Sequence, residues 1–487
     1  MTDVNDSYDP YTAGEAYTMA VGSIGVASNG TGPRTPEQLR DRLLAVLEHR
    51  SRAILGLERW YDGDHPLPAP PERMTRYEDA ANAFRDLSRM GVTNYVSLVP
   101  DAPADRLQVT GFRFGDPANA RNDDEAWRIW QRNHLDADSR LVQHKALVAG
   151  NSFVLVWPDD DDGQAEITVE HPGQAIVAYE AGSRRERTAG LKCWTEDDET
   201  RRVVLYLPDL VYKWANKAKQ APLEAWQPPT DDTWPIVNPF GEVPLVEFRA
   251  NPDLRPCPYG GGASEFAGVI PIQSRINKTV FDRLVTAEFQ AFRQRWAVGW
   301  TPDDPNQAMQ ASMRHLLTFE DETVKVGEFA QADFTGFIQA VESDVQSMAA
   351  ITRTPTFYTL GSISNISGDT LAALQAGLVA KCEAHRDNFG EDWEEVLRLG
   401  LKAEGNQRAD DESSMVVWRS IEHVTWAEIA DATTKLATIG VPPEALWAML
   451  KDVTPQDIER WKTMRPAAAP AAVPQQPPGA PAGPTMP

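Results

Sequence analysis

The chain has 487 residues, 42% of them hydrophobic and 24% charged, a composition that suits a soluble globular protein of about three packing units at the usual ~150 residues each. Its formal net charge of −24 argues against an ordinary groove-reading nucleic-acid binder, which concentrates Lys and Arg to neutralise phosphates, but not against a protein that DNA slides past without sticking. No run approaches the ~18 apolar residues of a membrane span. Asp3, Asp6 and Asp9 stand where a secretory signal carries positive charge, so the expected product stays in the cytoplasm of the cell that makes it. Cys193, Cys257 and Cys382 lie far apart with no zinc spacing, so neither a disulfide framework nor a structural metal is expected.

Residues 1–33 lack any periodicity and 466–487 hold eight prolines among alanines and glycines, so both ends read as disordered tails. Order begins at Pro36, where Leu39, Leu43, Leu47, Ile54 and Leu57 mark one amphipathic helix running towards Trp60 and Tyr61. The pattern predicts further helices over 82–99 and over 123–150, the latter carrying Trp127, Trp130 and Leu147 and ending at Gly150. The period then changes to two. Short strands are expected at 153–157, 165–170, 175–179, 191–194, 203–207 and 211–214, as an antiparallel meander, with one more at 244–249 beyond a Pro- and Trp-rich connection.

From Pro271 to Trp296 there are 26 residues without another Pro or Gly, a helix of roughly 39 Å. It carries two apolar stripes, Ile272, Ile276, Val280 and Leu284 on one side and Phe281, Val285 and Phe289 on another, the mark of a helix packed on both sides. A polar interval at 298–333, with a strand at 323–326, separates it from a second helix at 334–352. The stretch 354–370 is too polar for core and reads as a loop. It opens a long helix whose apolar positions Leu371, Leu374, Leu378, Cys382, His385, Phe389, Trp393 and Val396 keep the 3.6 period; Gly377 and Gly390 could let it bend. Helices at 426–439 and 443–451, with 454–461 behind them, close the ordered chain.

Catalytic patterns are sparse. Asp159 to Asp162 resembles a cation loop, but its carboxylates are consecutive instead of alternating around a glycine, which favours a solvated hairpin turn. Gly260 to Gly262 is not followed by Lys-Ser or Lys-Thr, so a tight backbone turn is expected there and no phosphate loop. His134 and His144 fall on roughly opposite faces of a helical segment, and Cys382 beside His385 reads as a buried thiol next to a core-edge imidazole. No catalytic residue, cofactor or metal ligand is assigned.

Four passages in fixed order carry a resemblance: Trp60-Tyr61-Asp62-Gly63; Gly150 to Val156; Pro258-Tyr259-Gly260 through Ser264-Glu265 into a helix containing Asn277; and Thr354-Pro355 to Asn365, Ser367 and Gly368 opening the long helix. Over residues 36–465 the chain resembles the portal proteins of tailed bacteriophages. The resemblance implies an α+β, portal-type fold with long stem helices, an antiparallel β meander wing, a small clip and a helical crown. It places the wing at 34–262, the first stem helix at 263–297, the clip at 298–333, the second stem helix at 334–353, the tunnel loop at 354–370, a long wing helix and return segment at 371–421, and the crown at 422–465.

It further implies a homo-oligomeric ring, usually of twelve subunits, at one capsid vertex of the virion, assembled in the host bacterial cytoplasm. Double-stranded DNA would pass through this ring in packaging, retention and ejection. The implied partners are the terminase large subunit, a head-tail connector or adaptor, the major capsid protein and a scaffold, with no membrane. An acidic wall would repel phosphates. Tyr358, Ser362, Ser364 and Asn365 in the tunnel loop would face DNA. Lys278, Arg283, Arg293 and Arg295 on the first stem helix are candidates for sparse backbone contacts, or for salt bridges with Asp282, Glu288, Glu342 or Asp344 of neighbouring subunits. Two alternatives stay open at this level: another ring or shell protein without DNA passage, and a metal-dependent nuclease or hydrolase using the Asp-rich turn.

Overall fold

A computed structural model describes residues 35–68, 78–114, 123–159, 162–217, 226, 235–254, 259–291, 295–298, 325–328, 333–355, 368–411, 413–421, 426–447, 450, 453 and 455–464. They fall into two units, the larger spanning 1–117 and 122–422 and the smaller 118–121 and 423–487. Both expected tails lie outside the described residues.

Helix α1 (Pro36–Tyr61) starts on a reciprocal capping box between Thr35 and Gln38. Its residues Leu43, Leu44 and Leu47 are buried against Ile176, Leu191 and Val203 of a sheet. The expected helix at 82–99 is instead two, α2 (Glu78–Met90) and α3 (Leu98–Ala104). The break has a local cause: the N–H groups of Thr93 and Tyr95 are taken by the side chains of Asn277 and Gln273, at 3.2 and 3.1 Å, and so are lost to a helix ladder. After β1 (Val109–Arg113), the expected helix at 123–150 also divides, into α4 (Asp124–Arg132) and α5 (Leu135–Ala149), because His134 adopts a left-handed φ of 54°.

The strands that follow are β2 (Asn151–Pro158), β3 (Ala165–Glu170), β4 (Ala175–Tyr179), β5 (Arg187–Thr195), β6 (Thr200–Tyr206), β7 (Leu210–Lys217), β8 (Ile236–Val237) and β9 (Leu245–Arg249). They do not form one meander. Three strands make a sheet in the order β3-β2-β9, and five make a second in the order β4-β5-β6-β7-β8, antiparallel throughout. Strand β9 returns to flank β2, pairing Val246 with Val154, and so satisfies the backbone groups on the edge that β3 leaves open.

The stem region departs from expectation at one end. Helix α6 (Ile270–Ala291) stops short of 297, and Arg295–Val298 form β10, paired antiparallel with β11 (Lys325–Glu328). Long-range pairing of the Arg-Trp-Ala-Val segment overrides its helical period. Helix α7 (Thr335–Thr352) matches the second predicted helix. Helix α8 (Gly368–Ala403) is continuous through both glycines, and β12 (Met415–Trp418) then pairs with β1, a ribbon the short strands had not signalled. The smaller unit holds α9 (Trp426–Thr438), α10 (Pro443–Trp447) and α11 (Pro455–Met464), with Trp447 and Trp461 edge to face at 5.8 Å.

The main core lies where α8 crosses β2 and β9. Trp393 sits 4.9 Å from Trp130 and 4.6 Å from Phe248, ring to ring, and all three side chains are fully buried. The stripe of α8 is buried at Leu378, Cys382, His385, Phe389, Trp393 and Val396, whereas Leu374, nearer its start, is 45% exposed.

Candidate nucleic-acid interface

The passages that carried the resemblance converge in space around the start of α6. His65, two residues beyond Gly63, donates from Nε2 to the Trp60 carbonyl at 2.9 Å and accepts at Nδ1 from Asn277 Nδ2 at 2.8 Å. Burial lowers its pKa and favours this neutral form. Asn277 Oδ1 accepts from Gln273 at 2.8 Å and from Thr93, so α1, the 91–97 connection and α6 share one buried polar network.

A second junction holds the segment leading into α6. Gly150, at φ 95°, leaves no room for a side chain, since a Cβ there would lie 2.7 Å from the Gly262 carbonyl. Arg50 of α1 donates to the carbonyls of Tyr259 and Gly260 at 2.9 and 2.6 Å, which fixes the tight turn expected of these glycines. Glu265 is buried between Lys381 and His385 of α8, each at 2.7 Å, and accepts from Asn251 at 2.7 Å. Burial alone would raise its carboxyl, but the His385 hydrogen bond and the Lys381 charge outweigh it and hold the pKa down at about 2.

Beyond these junctions α6 is covered by its own chain on two sides. Phe281 packs edge to face on Phe84 of α2 at 5.0 Å, while Ile276 and Val280 share a cluster with Val345 and Met348 of α7. The second apolar stripe is thus met at Phe281 by α2. Arg275 grips Asp344 of α7 with two hydrogen bonds at 2.8 and 2.5 Å.

The candidate contact residues fare unequally. Lys278 is exposed and paired with Asp282 one turn along the same helix. Arg283 is half-buried on α6. Arg295 belongs to β10 and not to the stem helix, and Arg293 lies outside the described residues. Of the tunnel loop, 356–367 lies outside them too, including Tyr358, Ser362, Ser364 and Asn365. The first two residues of that loop are not free: Thr354 is buried, 3.0 Å from the Thr352 hydroxyl, and Pro355 is buried beside it.

Of the Asp-rich turn, Asp160 and Asp161 lie outside the described residues. Asp159 and Asp162 accept from N–H groups of their own hairpin turn, at 3.3 and 2.9 Å. Burial pushes the Cys382 thiol up to about 11, far from a nucleophile's range. Among the described residues no group of three or more His, Cys, Asp or Glu is arranged to hold a metal ion, and no helix is long and apolar enough to cross a membrane. Arg275 and Lys381 were missed by the sequence reading, since a charged residue on a helix is ordinarily solvated, and Glu265 stood out only as part of a motif; His385 in an apolar stripe was the one available signal of a buried polar junction.

A family model described as "Phage portal protein, SPP1 Gp6-like" matches residues 40–471. The portal proteins of Mycobacterium phage D29 and Mycobacterium phage L5 are each 26% identical to this chain, over 421 and 426 residues, covering 82% of it and 82% of their own length. The matched range spans both junctions, the α6–α7 pair and the long helix: the chain belongs to the SPP1 Gp6-like family of phage portal proteins, structural proteins of the capsid vertex in the virion.

Proposed function

We propose that this chain is the subunit of a twelve-membered ring through whose axis double-stranded DNA is packaged, retained and ejected. Family membership implies an oligomeric ring associated with the capsid. In the proposed ring α6 and α7 are the stem, 298–333 the clip that docks the terminase large subunit and later the connector, 34–262 with 371–421 the wing against capsid and scaffold proteins, 354–370 the tunnel loop and 422–465 the crown. The observation that carries this reading is the α6–α7 hairpin, stapled by Arg275 and Asp344, whose intervening chain closes through the antiparallel β10–β11 pair.

DNA passage through an acidic protein needs weak, evenly spaced contacts. Lys278 supplies one by exchanging its Asp282 partner for phosphate, with Arg283, Arg293 and Arg295 continuing towards the clip and Tyr358, Ser362, Ser364 and Asn365 offering uncharged contacts. Negative-stain imaging with light scattering tests the architecture. Rings with a central channel near twelve times 54.0 kDa are expected; a monomer that stays monomeric with scaffold and capsid protein present would overturn it.

A further inference from the structure

We infer that in the ring the outer face of α2 on one copy packs against the outer face of α7 on the next. The inference rests on the ring reading above and adds which surfaces meet. A cyclic ring is joined head to tail, so each copy must offer two different, complementary faces.

The sandwich around α6 identifies them. Gln273, Asn277 and Phe281, four residues apart, all turn towards α2 and the 91–97 connection. Arg275 leaves the helix about 160° around from Asn277, at roughly 100° per residue, and reaches α7. The three helices therefore form a layer α2–α6–α7 whose flanks left uncovered by the described residues are the outer sides of α2 and α7.

Those flanks differ in charge. On α2, Arg85 and Arg89 lie one turn apart and exposed, Arg85 bonded to Asn82 Oδ1 at 2.8 Å and Arg89 only loosely set against the exposed Asp86 at 3.8 Å. On α7 the exposed face presents Gln339, Glu342, Ser343 and Gln346, and the helix contains no Lys or Arg. Like-with-like pairing would oppose arginines to arginines or Glu342 to itself. Only α2 against α7 lets two guanidinium groups bracket Glu342, while the small exposed residues Ala340, Ser343 and Ser347 of α7 allow close helix approach.

The test is charge reversal in the full-length protein, with ring formation followed by mass photometry across a dilution series. Arg85→Glu with Arg89→Glu should raise the concentration for half-assembly by about tenfold or more. Adding Glu342→Arg and Ser343→Arg to that same chain should bring it back to within about threefold of the parent, since every interface then regains opposite charges. Arg184→Glu with Arg185→Glu, an equal change of net charge on the exposed β4–β5 turn, should leave assembly unaltered. Circular dichroism checks that each monomer is folded. Parent rings that survive the first reversal, or a four-residue variant no better than the double, would overturn the α2–α7 interface while leaving the ring intact; a parent that forms no ring removes both.

Discussion

Glu265 concentrates in one side chain what ties the segment entering α6 to α8. Its folded pKa of about 2 lies below the ordinary 4.5, so the unfolded chain binds more protons between those values. The resulting stability, roughly 3 kcal/mol at ~1.4 kcal/mol per unit, is fully present above pH ~4.5 and is lost as the pH falls through ~2. Glu394, on α8, has the opposite sign: burial, and Glu391 nearby, raise it to about 7, so its contribution is present on the acid side and lost as the pH rises through neutrality. Glu265→Gln leaves Lys381 buried without its carboxylate, and we expect a loss of about 3–5 kcal/mol near pH 7 with a flattened acid limb. Urea melts of parent and variant from pH 2 to 7 measure both; parallel acid limbs would contradict the assignment.

At the scale of elements, the Arg275–Asp344 pair decides how firmly α7 lies on α6. Arg275 is 58% exposed and Asp344 14%, so the pair is worth less than a buried one but more than a loose surface contact, about 1 kcal/mol. Arg275→Ala should speed amide exchange across Thr335–Thr352 severalfold and leave α8 unchanged, as read by hydrogen-exchange mass spectrometry. These helices were legible in the sequence because apolar stripes report burial directly. What escaped was long-range or conformational. The β1–β12 ribbon joins segments of five and four residues some 300 positions apart, too short to show a period. The division at His134 depends on one positive φ, and the end of α6 on pairing with β11, neither written in local spacing. Around α6 the motif residues Trp60, Gly150, Glu265 and Asn277 were visible singly, but that they meet was not, since polar contacts between distant segments leave no periodic trace.

For the whole molecule the order of the chain differs from the order of its core. The cluster holding Trp130, Val154 and Phe248 also needs Phe389, Trp393 and Leu397 of α8. A chain ending at residue 367 should therefore be insoluble or bind a hydrophobic dye strongly, while the full chain does neither; a soluble, dye-silent fragment would show that the α8 contribution to this core is dispensable. Read along the path of synthesis, α8 is both the last large helix of the unit to be made and the one that crosses the sheet already waiting for it. Until it arrives, the face of that sheet which Phe389, Trp393 and Leu397 will cover stands open, although the α2–α6–α7 layer, whose cluster draws nothing from α8, can already be in place.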